Sequence, residues 1–334
     1  MTFTDPPPES PVPGPPSQLQ GEPYPYHRAA LARPGNRWWH PLTTFLVALA
    51  VLGALMLLAV VALVVAGIFV PSIGTAVDRA VSADADLTDP AQLLFMLAAV
   101  CLLWPAAALG VRWGGRRPAG TLSSVTGRLR WRFFPRLLGL AAALFVVWNG
   151  LSLLLPEAWV QAGEGRGDGS SGNVWLLLLV VLAVVPLQAT AEEYAFRGLL
   201  MQGIGSWLRH PAFAILLPVP LFVLGHGYGL VGQIDVAAFA VATGWLAWRT
   251  GGLEAAIALH VINNVGVFAL GSVGLSDPNA TDMPLAALPF SLAFLLAYSL
   301  IAARAFPAPA LTAKPHERNG HPPTSGTTAA SSRV

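Results

Sequence analysis

The sequence predicts an all-α polytopic membrane protein, a helical bundle of about eight transmembrane helices with both termini cytoplasmic. Three observations predict it. Of 334 residues 54% are hydrophobic and only 11% charged, where a soluble domain carries about 25% charged residues. Eight apolar segments are separated along the chain. The charges between those segments alternate in sign from one gap to the next.

Residues 1–40 contain "DPPPESPVPGPPSQ" and lack apolar periodicity. Such a stretch cannot bury enough surface to offset its chain entropy, so a disordered cytoplasmic tail is expected. It is not ordered as a signal peptide. The apolar segments then run over about 43–70, 92–111, 137–155, 174–200, 212–230, 235–249, 253–271 and 284–303. A helix needs roughly 20 residues to cross about 30 Å of hydrocarbon. Pro218 and Pro220 interrupt the fifth segment and predict a kink. The sixth and seventh are short, and "RTGG" at 249–252 alone parts them, which makes that boundary the weakest. Residues 305–334 form a second polar tail. The chain therefore divides into a Pro-rich tail (1–40), two transmembrane helices with an Arg-rich loop (41–134), a six-segment domain (135–304) and a disordered cytoplasmic tail (305–334).

Orientation follows from loop charge. Arg28, Arg33 and Arg37 precede the first segment, and the second loop carries Arg112, Arg116, Arg117, Arg128, Arg130, Arg132 and Arg136. Arg209 and Arg249 mark the fourth and sixth loops, and Arg304, Lys314, Arg318 and Arg333 follow the last segment. With eight spans all of these fall on one side. The other side holds Asp78, Asp84, Asp86, Asp89, Glu157, Glu164, Asp168, Asp277 and Asp282, with only Arg79 and Arg166 opposing. Lys314 is the only lysine, and this arginine and alanine bias points to a GC-rich bacterial genome, hence a bacterial plasma membrane. Cys101 is the single cysteine, which excludes an intramolecular disulfide framework and a cysteine-based zinc site.

A few polar groups interrupt the apolar segments. They are Glu192, Glu193 and Arg197 in the fourth, His226 in the fifth, and His260, Asn263 and Asn264 in the seventh. Glu254, near the start of the seventh, is expected to reach water. A charge at the centre of a membrane helix costs about 2.5–3.5 kcal/mol, so these groups are expected to face the bundle interior or a wet cavity. Glu193 and Arg197 are four apart and can pair on one helical face. Glu192 lies about 100° round the helix from Glu193 and stays outside that pair. His260 and Asn264 share one face, and so do Phe222 and His226. Each group taken singly has a structural explanation, as a packing histidine, an ion-pair clamp or an interhelical amide. Independent accidents would be scattered, whereas these gather on three segments.

The gathered motifs resemble a known pattern. "EEYAFRG" at 192–198, "FVLGH" at 222–226 and "HVINN" at 260–264 resemble, in order, the EExxxR, FxxxH and HxxxN motifs of the CAAX prenyl endopeptidase and bacteriocin-processing family, also called Abi or CPBP. The resemblance covers roughly residues 135–304. It implies an all-helical membrane fold with a polar cavity open toward the cytoplasm, and peptide-bond hydrolysis. On the matching positions Glu192 would activate water, assisted by His226. His260 and Asn264 would stabilise the oxyanion, and Glu193 and Arg197 would orient the site. If a divalent metal such as Zn2+ is used, Glu192, His226 and His260 would be its three ligands; in the metal-free alternative Glu192 binds water directly. The implied partners are membrane lipids and a membrane-associated protein or peptide, with no nucleic acid. Two other classes stay open: a transporter with a Glu/His relay, against which the absence of two matching halves counts, and a catalytically silent immunity or binding protein.

Overall fold

Apolar segments that must satisfy their backbone groups without water become helices. The computed structural model describes residues 24–33, 35–82, 85–156 and 173–306. The remainder of both tails lies outside the described residues, as do Asp84, Glu157, Glu164, Arg166, Asp168, Lys314, Arg318 and Arg333 of the charge pattern. Among the described residues the secondary structure is helical and contains no strand, which bears out the fold class.

The helices are α1 (His40–Phe69), α2 (Pro71–Ala80), α3 (Pro90–Cys101), α4 (Leu103–Leu109), α5 (Phe134–Ser152), α6 (Val174–Glu193), α7 (Met201–Trp207), α8 (Pro211–Leu216), α9 (Val219–Leu224), α10 (Leu230–Thr250), α11 (Glu254–Ser272) and α12 (Ala287–Ala305). Wider π turns join α6 to α7 (Tyr194–Leu200) and follow α4 (Gly110–Gly114). Prolines sit in the first turn of several helices, where the missing N–H has no intrahelical partner to lose. Asp89 adds a cap to α3, its carboxylate accepting from the N–H groups of Ala91 and Gln92.

Among the described residues seven helical stretches are long and apolar enough to cross a membrane: His40–Phe69, Pro90–Gly114, Phe134–Ser152, Val174–Trp207, Leu230–Thr250, Glu254–Ser272 and Ala287–Ala305. The fifth expected segment is not among them. Pro218 and Pro220 interrupt the hydrogen-bond ladder between α8 and α9, six residues each, while the backbone at Leu217 and Pro218 stays right-handed, so the expected kink is present in one short apolar stretch, Pro211–Leu224. The boundary that looked weakest is instead sharp. Gly251 ends α10 in the left-handed conformation at φ +74°, and its N–H and that of Gly252 both return to the Ala247 carbonyl.

The chain nevertheless passes eight times between two ends. One end joins residues far apart in sequence: Arg33 Nη1 donates to the Gly115 carbonyl at 2.9 Å, Ser124 bridges to Gly252, Arg130 pairs with Glu254, and Phe133 packs edge-on against Phe306. The other end joins Asp86 and Leu87 to Asn279, and Gly229 to Thr281. Arg209 belongs to the first end, its carbonyl accepting from His27 Nε2 at 3.1 Å, and Gly229 belongs to the second. The kinked pair α8–α9 therefore makes the fifth passage, and both described chain ends lie at the arginine-rich end.

Residues 24–40 depart from the disordered tail expected of residues 1–40. Tyr26–Ala32 is a 3-10 helix docked on α7, with Tyr26 and His27 almost wholly buried. Two side chains anchor it rather than a periodic apolar face. The Tyr26 hydroxyl donates to the Leu122 carbonyl and His27 reaches Arg209. Gly205 makes the approach possible, because a Cβ there would overlap the His27 carbonyl.

The interior combines three buried groups. Tyr26, Leu122, Tyr194, Met201, Leu253 and Ile257 lie at the arginine-rich end. Leu137, Phe222, Phe239, Leu259 and Tyr298 fill the middle, and Leu93, Leu177, Val181 and Val185 close the far side. Large apolar side chains on α1 such as Leu46, Leu57 and Ile68 stand exposed, as a lipid-facing surface requires.

Candidate active site

The last turns of α6 place Gln188, Glu192 and Glu193, and the π turn that follows places Arg197. π turns of this kind often occur at functional sites. Glu193 is fully buried, Arg197 is 3% exposed and Glu192 is 8% exposed. The predicted pair forms: Arg197 Nη1 donates to Glu193 Oε1 at 3.0 Å. Arg197 also donates through Nη2 to the Ala240 carbonyl at 3.3 Å on α10, and its guanidinium lies 4.3 Å from the centre of the Phe222 ring.

From α11, His260 is 2% exposed and faces both carboxylates. Its Nδ1 is 2.8 Å from Glu193 Oε1 and its Nε2 is 3.5 Å from Glu192 Oε2. An ionised carboxylate only accepts, so the Nδ1–H of His260 donates to Glu193 and its Nε2 is aimed at Glu192. The ring is held edge-on by Phe239 at 4.9 Å and by Phe222 at 6.3 Å. Glu192 stands outside the Glu193–Arg197 pair, as its position on the helix predicts. Its Oε1 accepts from Gln188 Nε2 at 2.8 Å, and its buried Oε2 has no hydrogen-bond partner among the described residues.

Asn264 is one turn beyond His260, and its Nδ2 donates to Gln188 Oε1 at 3.3 Å. Asn263 in turn donates to Asn264 Oδ1 at 3.3 Å. Gln188 thus bridges Glu192 and Asn264, a role that sequence reasoning missed. The signal was present, because Gln188 is an amide inside an apolar run, four residues before Glu192.

His226 is placed differently. The helix ends at Leu224, and His226 lies past its end with Nδ1 2.8 Å from the Phe222 carbonyl. The carbonyl must accept, so Nδ1 carries a proton, and Nε2 is left free of the helix end. Among the described residues no hydrogen bond joins His226 to Glu192, Glu193 or His260. Phe222 connects them by packing, 4.7 Å from His226 and 6.3 Å from His260 between ring centres.

The proposed ligand set Glu192, His226 and His260 does not fit a metal as the side chains stand. Among the described residues no three His, Cys, Asp or Glu side chains are grouped to hold one. Glu192 and His260 meet, but His260 already faces a carboxylate through each nitrogen and His226 is held by Phe222. Glu254 does not reach water as its position near the start of the segment suggests. It is fully buried rather than wet, and Arg130 grips it at 2.6 and 3.0 Å through Nη2 and Nε. Residues 249–254 fold under the arginine loop, which removes Glu254 from solvent and from the cluster around His260.

Fold and geometry together define a multi-pass helical membrane protein with a buried carboxylate–histidine–arginine cluster shared by three helical segments. The resemblance carried by the motifs is borne out: residues 173–266, which contain all six proposed site residues, match the model of the type II CAAX prenyl endopeptidase Rce1-like family. Over 240 residues the chain is 28% identical to the uncharacterized protein YyaK of Bacillus subtilis strain 168, spanning 69% of this chain and 77% of that one. No solved structure matches. The match supports a CAAX-type intramembrane protease in general.

Proposed function

We propose that the protein is an intramembrane endopeptidase that hydrolyses a peptide bond of a membrane-associated protein or peptide, with its arginine-rich end and both termini in the cytoplasm. The observation that carries this reading is the pairing of Glu192 Oε2 with His260 Nε2 across 3.5 Å, while Glu193 and Arg197 fix the histidine from behind. Glu192 takes a proton from water as the water oxygen attacks the scissile carbonyl carbon. The oxyanion receives hydrogen bonds from Asn264 Nδ2 and from His260 Nε2–H. Donors of this kind contribute about 2.7–4 kcal/mol each in soluble enzymes. The C–N bond then breaks, and the proton held by Glu192 passes to the leaving nitrogen. His226, beyond this inner cluster, acts through its Nε2 on the attacking water.

The test compares membranes carrying wild type or Glu192→Ala, with new peptide N-termini labelled and identified. Wild type is expected to generate termini that the variant does not, while both proteins elute as folded species of the same size. Identical sets of termini from two folded proteins would sink the assignment.

A further inference from the structure

Among the described residues, the arginine loop holds one buried guanidinium, Arg117, that no carboxylate pairs. Between Asp89 and Glu157 the sequence has no acidic residue. Arg112, Trp113, Arg116, Arg117 and Pro118 line an open cleft of about 420 Å3 at the arginine-rich end. Among the described residues none of these three arginines has a carboxylate within ion-pair distance. For Arg112 and Arg116, which are exposed, that is unremarkable. For Arg117 it is not, because it is 7% exposed and its Nη1 meets only neutral acceptors, Thr121 Oγ1 and Gln202 Oε1, at 2.6 Å each. Buried charges are ordinarily paired. Burial pulls the Arg117 guanidinium down to about 10, with the Tyr26 phenol acting the other way, so it remains charged at neutral pH.

The loop is also shaped around this spot. Arg116 is the one non-glycine residue with positive φ among the described residues, at +48°, a conformation that side chains of its size rarely adopt. Arg33 donates to the carbonyl of the adjacent Gly115 at 2.9 Å and adds a fourth guanidinium. Trp38, Trp113 and Trp131 are all more than half exposed at this end, as tryptophans are at the level of lipid headgroups.

We propose that the cavity lined by Arg112, Arg116 and Arg117 binds the phosphate group of an anionic ligand at headgroup depth. Guanidinium forks suit phosphate oxygens, and the bound anion supplies a counter-charge that Arg117 does not find among the described residues. A phospholipid headgroup and a free phosphate share this chemistry.

The experiment uses the full chain, delipidated in a neutral detergent, and reads the melting midpoint on addition of phosphatidylglycerol or inorganic phosphate. Wild type is expected to rise by at least about 3 °C at saturation. A rise with phosphatidylglycerol alone assigns a lipid site, and a rise with inorganic phosphate as well assigns a site for the free anion. Arg112→Ala/Arg116→Ala is expected to lose the rise. Arg132→Ala/Arg136→Ala, which removes the same charge from exposed positions elsewhere on this end, is expected to keep it. Arg116→Gly relieves the left-handed backbone and so folds at least as well, yet is expected to weaken the response. No rise in wild type with either ligand, or equal loss in the two double variants, overturns the proposal.

Discussion

Gln188 shows how much one side chain can settle. Its amide donates to Glu192 and accepts from Asn264, so it fixes the carboxylate proposed as base relative to the amide proposed as oxyanion donor. Gln188→Leu removes both bonds at nearly constant volume. A hydrogen bond to a charged group contributes about 1.5–3 kcal/mol, so proteolytic turnover is expected to fall about ten- to a hundredfold. The loss should lie in kcat more than in KM, and Gln188→Glu should be worse, since it sets a second negative charge beside Glu192. Unchanged turnover in Gln188→Leu would remove the bridge from the mechanism. At this scale the sequence was legible where spacing along one helix decides the contact, as for Glu193 with Arg197 and for the exclusion of Glu192 from that pair. It was not legible where partners come from different helices. The facing of His260 toward both carboxylates depends on how α11 packs against α6, and helical spacing carries no information about that. Glu254 was misread for the same reason: its partner Arg130 is 124 positions away.

That ion pair belongs to the scale of elements, because it clamps the arginine loop to the start of α11. Arg130 reaches Glu254 with its backbone N–H, Nε and Nη2, and donates through Nη1 to the Thr250 carbonyl at the end of α10. Gly252 lies where a Cβ would stand 2.5 Å from Glu254 Oε2 and 2.6 Å from Ser124 Cβ, so the turn is glycine by necessity. Removing one member of a buried pair leaves the other charge alone and costs about 3–5 kcal/mol, whereas replacing both with apolar groups is often neutral. Arg130→Met is therefore expected to lower the melting midpoint strongly, and Arg130→Met/Glu254→Met to recover most of the loss. Additive losses in the double variant would show that the two side chains act separately. The kink at Pro218 and Pro220 was visible in the sequence, whereas the sharp turn at Gly251 and Gly252 was not, because two short apolar segments parted only by "RTGG" marked it as the weakest boundary. Nor was the docking of the 3-10 helix, because a seven-residue stretch without an apolar face gives no sign that Tyr26 will find the Leu122 carbonyl.

For the whole molecule the decisive element is the kinked pair α8–α9, which makes the fifth passage although it is short. Among the described residues seven stretches are long enough to span by themselves. Charge alternation along the sequence nevertheless required eight passages, and the contacts at the two ends agree, since Arg209 and Gly229 lie at opposite ends. The signs of the loop charges and the contacts between distant residues arrive independently at the same eight passages. They give a topological prediction that length alone does not. In a Cys101→Ser background, single cysteines at Asn36 and Arg304 should react with a membrane-impermeant maleimide from the same side, and cysteines at Ser82 and Ser276 from the opposite one. If α8 and α9 stayed on one side without crossing, every helix after them would invert, and Asn36 and Arg304 would label from opposite faces. The arginine-rich end is expected inside, so intact cells should label Ser82 and Ser276, with Asn36 and Arg304 reacting only after the membrane is opened. That outcome would also place the cavity of Arg112, Arg116 and Arg117 at the cytoplasmic leaflet, where anionic headgroups concentrate.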